Sequence, residues 1–374
     1  MTTIYQEALA FAQEHIDPIA KEIDESKEFP KEVFAEIGKA GFLQLFVPTQ
    51  FGGKGLTYKE HAEVCMAFSQ ASASVGLCYM MHNVALNVVV NNGSDELVEK
   101  ICRDVMDNNH FLALAYSEAG TGTHFYIPEM KAEFLEGKVH LTGRKSMVTS
   151  AENASYYLVL APAEQEGAID NWVVPIESEG VSFEMAEWNG LGMRGNASAP
   201  MNVDTILDHS WRVGAPGSGQ DQVFTDVAVP FVLGLAAVYS GLSMSLFQEA
   251  SHHTTSRKYP DGKSLANLET VQIHLADIYN LANAARAATR DAAEAIVNGD
   301  EDAVPRVFSA RVFASEGAIE AARIAMRVGG GKSYNKANAI ERLLRDAYAS
   351  QIMAPGVDVL KLWTGRALTG QDLL

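Results

Sequence analysis

The stretch Ser117-Glu-Ala-Gly-Thr-Gly-Thr-His124 concentrates hydroxyls and glycines. Such a pattern lets side-chain and backbone donors come close to a polar bound group, because glycine carries no Cβ to hold them off. Alone, it reads equally well as a polar turn between a helix and a strand. It belongs to Ala115-Tyr-Ser-Glu-Ala-Gly-Thr-Gly-Thr123, and two more stretches follow in order, Gly143-Arg-Lys-Ser-Met-Val-Thr-Ser150 and Leu191-Gly-Met-Arg-Gly195. Further on come Met326-Arg-Val-Gly-Gly-Gly331 and Glu341-Arg-Leu-Leu-Arg-Asp346. The glycine run offers backbone N–H groups to an anion, and it also has the form of a helix C-terminus with Arg327 ahead of the glycines. Two other glycine clusters carry less. Phe51-Gly-Gly-Lys-Gly55 has no strand before it and reads as turn chemistry. Gly214, Gly217 and Gly219 lack the strand–helix setting of a dinucleotide fingerprint and read as a loop. Between residues 347 and 357 there is neither an acid nor a histidine; Asp358 follows as a charge suited to a helix N-terminus.

Periodicity supplies the elements that must position these stretches. Ile4, Ala8, Phe11, Ile16, Ile19 and Ile23 fall on one face of an amphipathic helix. Pro30 opens a second helix, with Val33, Ile37 and Leu43 on its apolar side. From Tyr58 to about Asn109 the composition predicts two more, broken near Asn91-Asn-Gly-Ser94. The period then becomes two. A hairpin around Gly137 joins Ala132–Leu135 to Val139–Thr142, and short strands are expected at Tyr156–Leu160, Trp172–Val174, Val181–Phe183 and Met201–Thr205. Closely spaced strands without intervening helices indicate an antiparallel β domain rather than a βαβ array. From about Asp221 the chain is helical again. A helix carrying Leu268, Val271, Leu275, Ile278, Ala282 and Ala285 ends at Gly299, and another runs from about Val304 to Arg327. The expected organisation is an N-terminal α-helical domain over 1–112, a middle β domain over 113–220 and a C-terminal α-helical bundle over 221–374.

Bulk properties exclude several classes. The 374 residues are 47% hydrophobic and 20% charged, an ordinary globular composition. A net charge of −18 argues against nucleic acid as a partner, since neutralising phosphates needs clustered cations. Cys65, Cys78 and Cys102 are too few and scattered for a disulfide framework or a zinc site, which fits a cytoplasmic protein without a metal centre. The N-terminus shows no basic segment followed by an apolar run, and no uninterrupted apolar stretch predicts a membrane span.

Taken together, the motifs resemble the acyl-CoA dehydrogenase superfamily of FAD flavoproteins along essentially the whole chain. The resemblance implies an α+β fold: an N-terminal helical domain, a middle antiparallel β domain and a C-terminal four-helix bundle. It also implies FAD, whose ring needs donors and shape-matched walls. Ser117 to His124 matches the family's flavin-covering Thr-Glu-Pro-x-Ala-Gly-Ser-Asp, with Ala119 in place of proline and His124 in place of aspartate. By that match Tyr116, Ser117 and Gly122 lie at the ring, and Thr123 at the pyrophosphate. Ser146-Met-Val-Thr-Ser150 corresponds to Trp-Ile-Thr-Asn, so Met147 would replace the tryptophan that packs on the flavin, and Thr149 would face the pyrimidine ring. Arg194 is expected to be structural. Ser256-Arg-Lys-Tyr-Pro-Asp-Gly262 resembles the stretch by which one subunit reaches its neighbour's FAD. Arg257 would hold pyrophosphate, Tyr259 would pack on the adenosine half, and Arg327, Gly330 and Gly331 would approach the same cofactor. A dimer or tetramer is therefore expected.

The catalytic residue is where this chain departs from the family. Ala354 stands in place of the glutamate that removes the substrate α-proton. The alternative position, on the helix beginning Val229-Pro-Phe-Val-Leu-Gly234, holds no acid either. The catalytic base is left unassigned. The leading expectation is oxidation of the Cα–Cβ bond of an acyl thioester with a base elsewhere, passing electrons to a transfer partner. The alternative is a two-component monooxygenase or N-hydroxylase using oxygen and flavin reduced by a reductase, and Leu360–Gly370 resembles the ends of such members. A third reading is a flavin-binding protein without turnover.

Overall fold

The computed structural model describes residues 2–122, 124 and 127–373. Helices α1 (Ile4–His15), α2 (Ala20–Ser26), α3 (Lys31–Lys39), α4 (Tyr58–Ala71), α5 (Ala73–Asn92) and α6 (Asp95–Asn108) come first. The single helix expected over residues 4 to 23 is broken at Asp17–Ile19 by a short 3-10 turn. Pro18 has no N–H to continue the α ladder. The stretch after Tyr58 divides at Ser72 as well as at Gly93. Ser72 is extended, and its hydroxyl accepts from the Val75 N–H as the N-cap of α5. Apart from Gln70, the residues on both sides of Ser72 are apolar or small, so period alone did not mark this break.

Two four-stranded sheets follow. One has the order β1 (Leu112–Ala115), β4 (Tyr156–Pro162), β5 (Ile169–Pro175), β8 (Arg212–Val213). The other has the order β2 (Lys131–Leu135), β3 (Lys138–Val148), β7 (Ala199–Asp208), β6 (Val181–Phe183). Pairing is antiparallel as expected, except that β1 runs parallel to β4, Leu112 opposite Tyr156. Strand β1 is buried at every position and shows no alternation, so its sequence carries no period-two signal.

The C-terminal half contains α7 (Gly219–Gln222), a π-helical turn at Val223–Val227, α8 (Ala228–Ser256), α9 (Glu269–Asn298), α10 (Ala303–Ser333), α11 (Ala339–Ile352) and α12 (Val357–Leu368). Helices α8 to α11 pack together as the four-helix bundle, and the opposite side of α8 contacts α4 and α5. A Cβ on Gly241 of α8 would sit 2.3 Å from the Met66 carbonyl oxygen of α4, so glycine is required at that crossing. Helix α9 ends at Gly299 in the left-handed region, as expected. Helix α10 runs past Arg327 to Ser333, with a kink at Gly330 (φ 57°, ψ −148°) where the helix was expected to stop. Helix α5 and the segment Gly219–Ser256 are long and apolar enough to cross a bilayer, but most of their apolar surface is buried among the other helices.

A buried ionic cluster ties the N-terminal helices to the rest. Arg345 of α11 donates to both carboxylate oxygens of Asp24 in α2 at 2.8 and 2.6 Å, and to Glu341 at 2.7 Å. Removing one partner leaves a buried charge uncompensated. Asp24→Ala should lower unfolding stability by about 2–4 kcal/mol, less than a lone buried pair because Glu341 remains. Chemical denaturation would read it, and an unchanged midpoint would show the cluster to be energetically neutral.

Candidate active site

Strand β1 runs out into Tyr116 and Ser117, and the register of β3 against β7 slips between Lys145 and Val148. That irregularity leaves Ser146 and Met147 without Cα partners on β7. Ser146 N–H instead donates to the Ser117 carbonyl at 2.8 Å, joining the two strand ends. A bulge of this kind re-aims side chains: Met147 is 58% exposed although both its neighbours are held.

Two connected cavities open at this junction. The larger, about 520 Å³, is bounded by Leu77 and Met81 of α5, Ser117, Met147 and Thr149, the 188–198 loop, Phe231 of α8, and the Tyr348–Ala354 end of α11. The smaller, about 90 Å³, shares Met81, Ser117, Met147, Phe231 and Ala354, and adds Leu114, Tyr116, Phe224, Pro355 and Trp363. The sequence-marked residues Tyr116, Ser117, Met147 and Thr149 therefore meet at one place. Gly122 is left-handed (φ 51°), with open space where a Cβ would point. Thr123 lies outside the described residues. Tyr116 presents its ring, since its hydroxyl is engaged with Asn171 Oδ1 at 2.6 Å and burial raises its pKa. Thr149 is buried, its hydroxyl 3.2 Å from that of Ser198.

The C-terminal set is placed elsewhere. Arg257, Tyr259, Arg327, Gly330 and Gly331 are exposed and line neither cavity. Arg257 is nevertheless one of several cations near the ends of α8 and α10. Burial depresses the His253 pKa first, and the charges of Lys332, Arg257 and His252 add to it, so these cations converge at the ends of α8 and α10.

Sequence reasoning missed the 188–198 loop as a cavity wall. Met193 is left-handed (φ 53°) and donates its N–H to Asp346 Oδ1 at 2.6 Å. A Cβ on Gly192 would stand 2.3 Å from the Arg345 carbonyl, so the Leu191–Gly195 motif is shaped to lie on α11. Trp188 Nε1 donates to the Arg194 carbonyl at 2.8 Å and closes the loop on itself. Arg194 lies 3.9 Å from Asp24 and lines neither cavity.

Among the described residues lining either cavity there is no aspartate, glutamate or histidine. Ala354 does face both spaces and contributes a methyl group. Asp358 is exposed in the first turn of α12 and lines neither. Arg345 is the cation on the wall, and its guanidinium is already held by Asp24 and Glu341. The wall offers apolar contact, hydroxyls and a strand end freed from pairing. That donor set fits a flavin ring: Ser117, Met147 and Thr149 would hold one edge, with the apolar side chains of α5, α8 and α11 opposite.

Family models match three consecutive parts of the chain: acyl-CoA dehydrogenase N-terminal domain over residues 2–109, middle domain over 113–206 and C-terminal domain over 233–362. Cyclohex-1-ene-1-carbonyl-CoA dehydrogenase of Geobacter metallireducens is 29% identical over 364 residues, covering 96% of this chain and 94% of its own. The mitochondrial isovaleryl-CoA dehydrogenase of Oryza sativa subsp. japonica is 30% identical over 370 residues, covering 97% and 89%. In fold, the chain is similar to butyryl-CoA dehydrogenase from Megasphaera elsdenii, with TM-score 0.90, 21% identity and 99% of each chain covered. It is also similar to TdsC from Paenibacillus sp. A11-2, solved with FMN and indole, with TM-score 0.88, 20% identity, and 97% and 96% covered.

Asp346 makes the support of this wall sensitive to pH. Burial lifts its carboxyl from 3.8 to about 6, against the pull of the Met193 N–H. The folded value lies above the unfolded one, so this stabilisation is present below the unfolded pKa and is lost as pH rises through about 6. Asparagine keeps an acceptor for Met193 and cannot ionise. Relative to the unsubstituted protein, Asp346→Asn should therefore gain on the order of 3 kcal/mol between pH 4 and pH 7. Parallel stability curves for the two proteins across that range would refute the assignment.

Proposed function

Since the chain belongs to the acyl-CoA dehydrogenase superfamily of FAD-dependent oxidoreductases, we propose that it carries out flavin redox chemistry on an apolar substrate without a side-chain base on the cavity wall. The observation that carries this reading is the absence of any carboxylate or imidazole among the described residues lining the cavities. Oxidising a thioester at Cα–Cβ requires a group to take the α-proton. A methyl group at Ala354 and a phenyl ring at Phe231 cannot. When bound, FAD supplies two-electron transfer. This wall best suits a reaction in which oxygen meets reduced flavin inside a water-excluding space, the electrons coming from a reductase. Leu77, Met81, Met193 and Phe231 would limit water around a bound flavin, and Ser117 and Thr149 would orient its ring.

Thioester dehydrogenation is the second reading. It is supported by similarity along nearly the whole chain to relatives named cyclohex-1-ene-1-carbonyl-CoA dehydrogenase and isovaleryl-CoA dehydrogenase, and would need a proton acceptor from outside the described wall. In either case the exposed cations at the ends of α8 and α10 would serve a neighbouring subunit's cofactor. Arg257 would take the pyrophosphate, Tyr259 the adenosine half, and Arg327 with Gly330 and Gly331 would close the approach, in a dimer or a tetramer.

Two experiments test this. Anaerobic mixing with straight-chain and branched acyl-CoA thioesters should bleach the flavin slowly, because a missing general base costs ~10²–10⁴-fold. Photoreduced protein should be reoxidised by air within seconds. Fast bleaching by a thioester combined with sluggish reoxidation would establish the second reading, and Ala354→Glu should then add nothing to the rate. The assembly is tested separately. Arg257→Ala should raise the FAD dissociation constant at least tenfold without lowering the melting temperature of the apoprotein, whereas unchanged affinity would remove Arg257 from the cofactor site.

A further inference from the structure

The two sequence stretches proposed above to face the flavin are joined by a buried ion pair that touches neither cavity. Glu118 and Lys145 have side chains 1% and 0% exposed. Lys145 Nζ donates to Glu118 Oε1 at 2.5 Å and to the Leu160 carbonyl of β4 at 2.7 Å. The other oxygen of Glu118 accepts from the backbone N–H of Glu129. The Glu129 carboxylate in turn accepts from the Gly120 N–H at 3.0 Å. Thr121 closes the turn by hydrogen-bonding to the Glu118 backbone. One pair thus joins the start of the 117–122 turn, the chain returning from it, β3 and β4.

Burying two charges is costly, and an apolar pair of equal volume often serves stability as well or better. What an ion pair with further hydrogen bonds adds is a defined geometry. Here that geometry is passed on directly. Ser117 precedes Glu118, Met147 lies two residues beyond Lys145, and both Ser117 and Met147 line both cavities. We propose that Glu118 and Lys145 are positioning residues which fix the flavin-facing backbone at Ser117 and Met147 before FAD binds. Burial lowers the Lys145 pKa to about 8, while the charges of Glu118 and Glu129 oppose the fall, so the ammonium persists at neutral pH. The pair does not touch FAD. It acts by keeping the β1 end and the β3 bulge in register, so that binding pays no ordering cost.

The test uses the purified full chain with its FAD removed, and the variants Lys145→Met, Glu118→Gln and the double variant. Lys145→Met leaves Glu118 buried without its cation and should lose both stability and FAD. The double variant removes both charges. It should melt within a few degrees of the unsubstituted apoprotein, yet bind FAD at least tenfold more weakly, with a less resolved visible flavin band and stronger flavin fluorescence. A double variant with unchanged affinity and spectrum would overturn the proposal. A second measurement needs no substitution. In the unsubstituted apoprotein, hydrogen exchange at the Gly120 and Glu129 amides should already be slow and change little on adding FAD. Fast exchange there that slows only with FAD would show that the cofactor orders the turn, and would equally overturn it.

Discussion

Helix α8 must be buried on nearly all sides, and the arrangement of the remaining helices follows from that. Its interior positions, from Val232 through Leu246, are apolar or small, and it packs against α4 and α5 on one side and against α9, α10 and α11 on the other. No soluble helix of this composition is stable without such cover. The cover is close because Gly241 brings the helix backbone against α4. The same helix delivers Phe231 to the cavity near its start and Arg257 to the exposed cationic cluster at its end. The cavity and the proposed inter-subunit contact are thus at opposite ends of one rigid rod.

The cavity is shaped by polar side chains on or behind its wall that already have protein partners. Arg345 is fully engaged by Asp24 and Glu341, Asp346 accepts from Met193, and Gln351 donates to the Ser315 carbonyl. Glu118 and Lys145 satisfy each other. Each group fixes a segment of wall, and none is left to titrate in the space itself. Among the described residues the lining is thus mostly apolar, and Ala354 presents a methyl group to it.

Much of this was legible in the sequence, and the exceptions have definite causes. The hairpin at Gly137 and the end of α9 at Gly299 follow from period and turn chemistry, and the return to helices expected from about Asp221 begins two residues earlier, at Gly219. Strand β1 and the break at Ser72 did not show, because fully buried segments lose the alternation that marks exposed ones. At the site, Ser117, Met147 and Thr149 were found by motif and do meet. The 188–198 wall was invisible as such: its role depends on Gly192 lying on α11, a contact between positions more than 150 residues apart. Glu118 and Lys145 sat within marked stretches, but nothing in the spacing showed that they pair.

These two kinds of miss have a common origin. Local pattern records which face of an element is wet, and is silent on elements that have no wet face and on contacts between distant segments. Functional walls in this chain are made of such contacts. The 188–198 loop is held by Asp346, the β3 end by Ser117 and Glu118, and the α11–α12 turn by Ser315 and by Tyr239, whose hydroxyl lies 3.2 Å from Met353 Sδ. Asp346, Glu118, Ser315 and Tyr239 are buried, and Asp346 and Glu118 directly follow residues that line the cavity, Arg345 and Ser117. The chain therefore shapes this space largely by fixing backbone from behind, while Arg345 is both lining and anchor. Such anchoring keeps the scaffold close to the butyryl-CoA dehydrogenase fold at 21% identity, with Ala354 presenting a methyl group to the cavity.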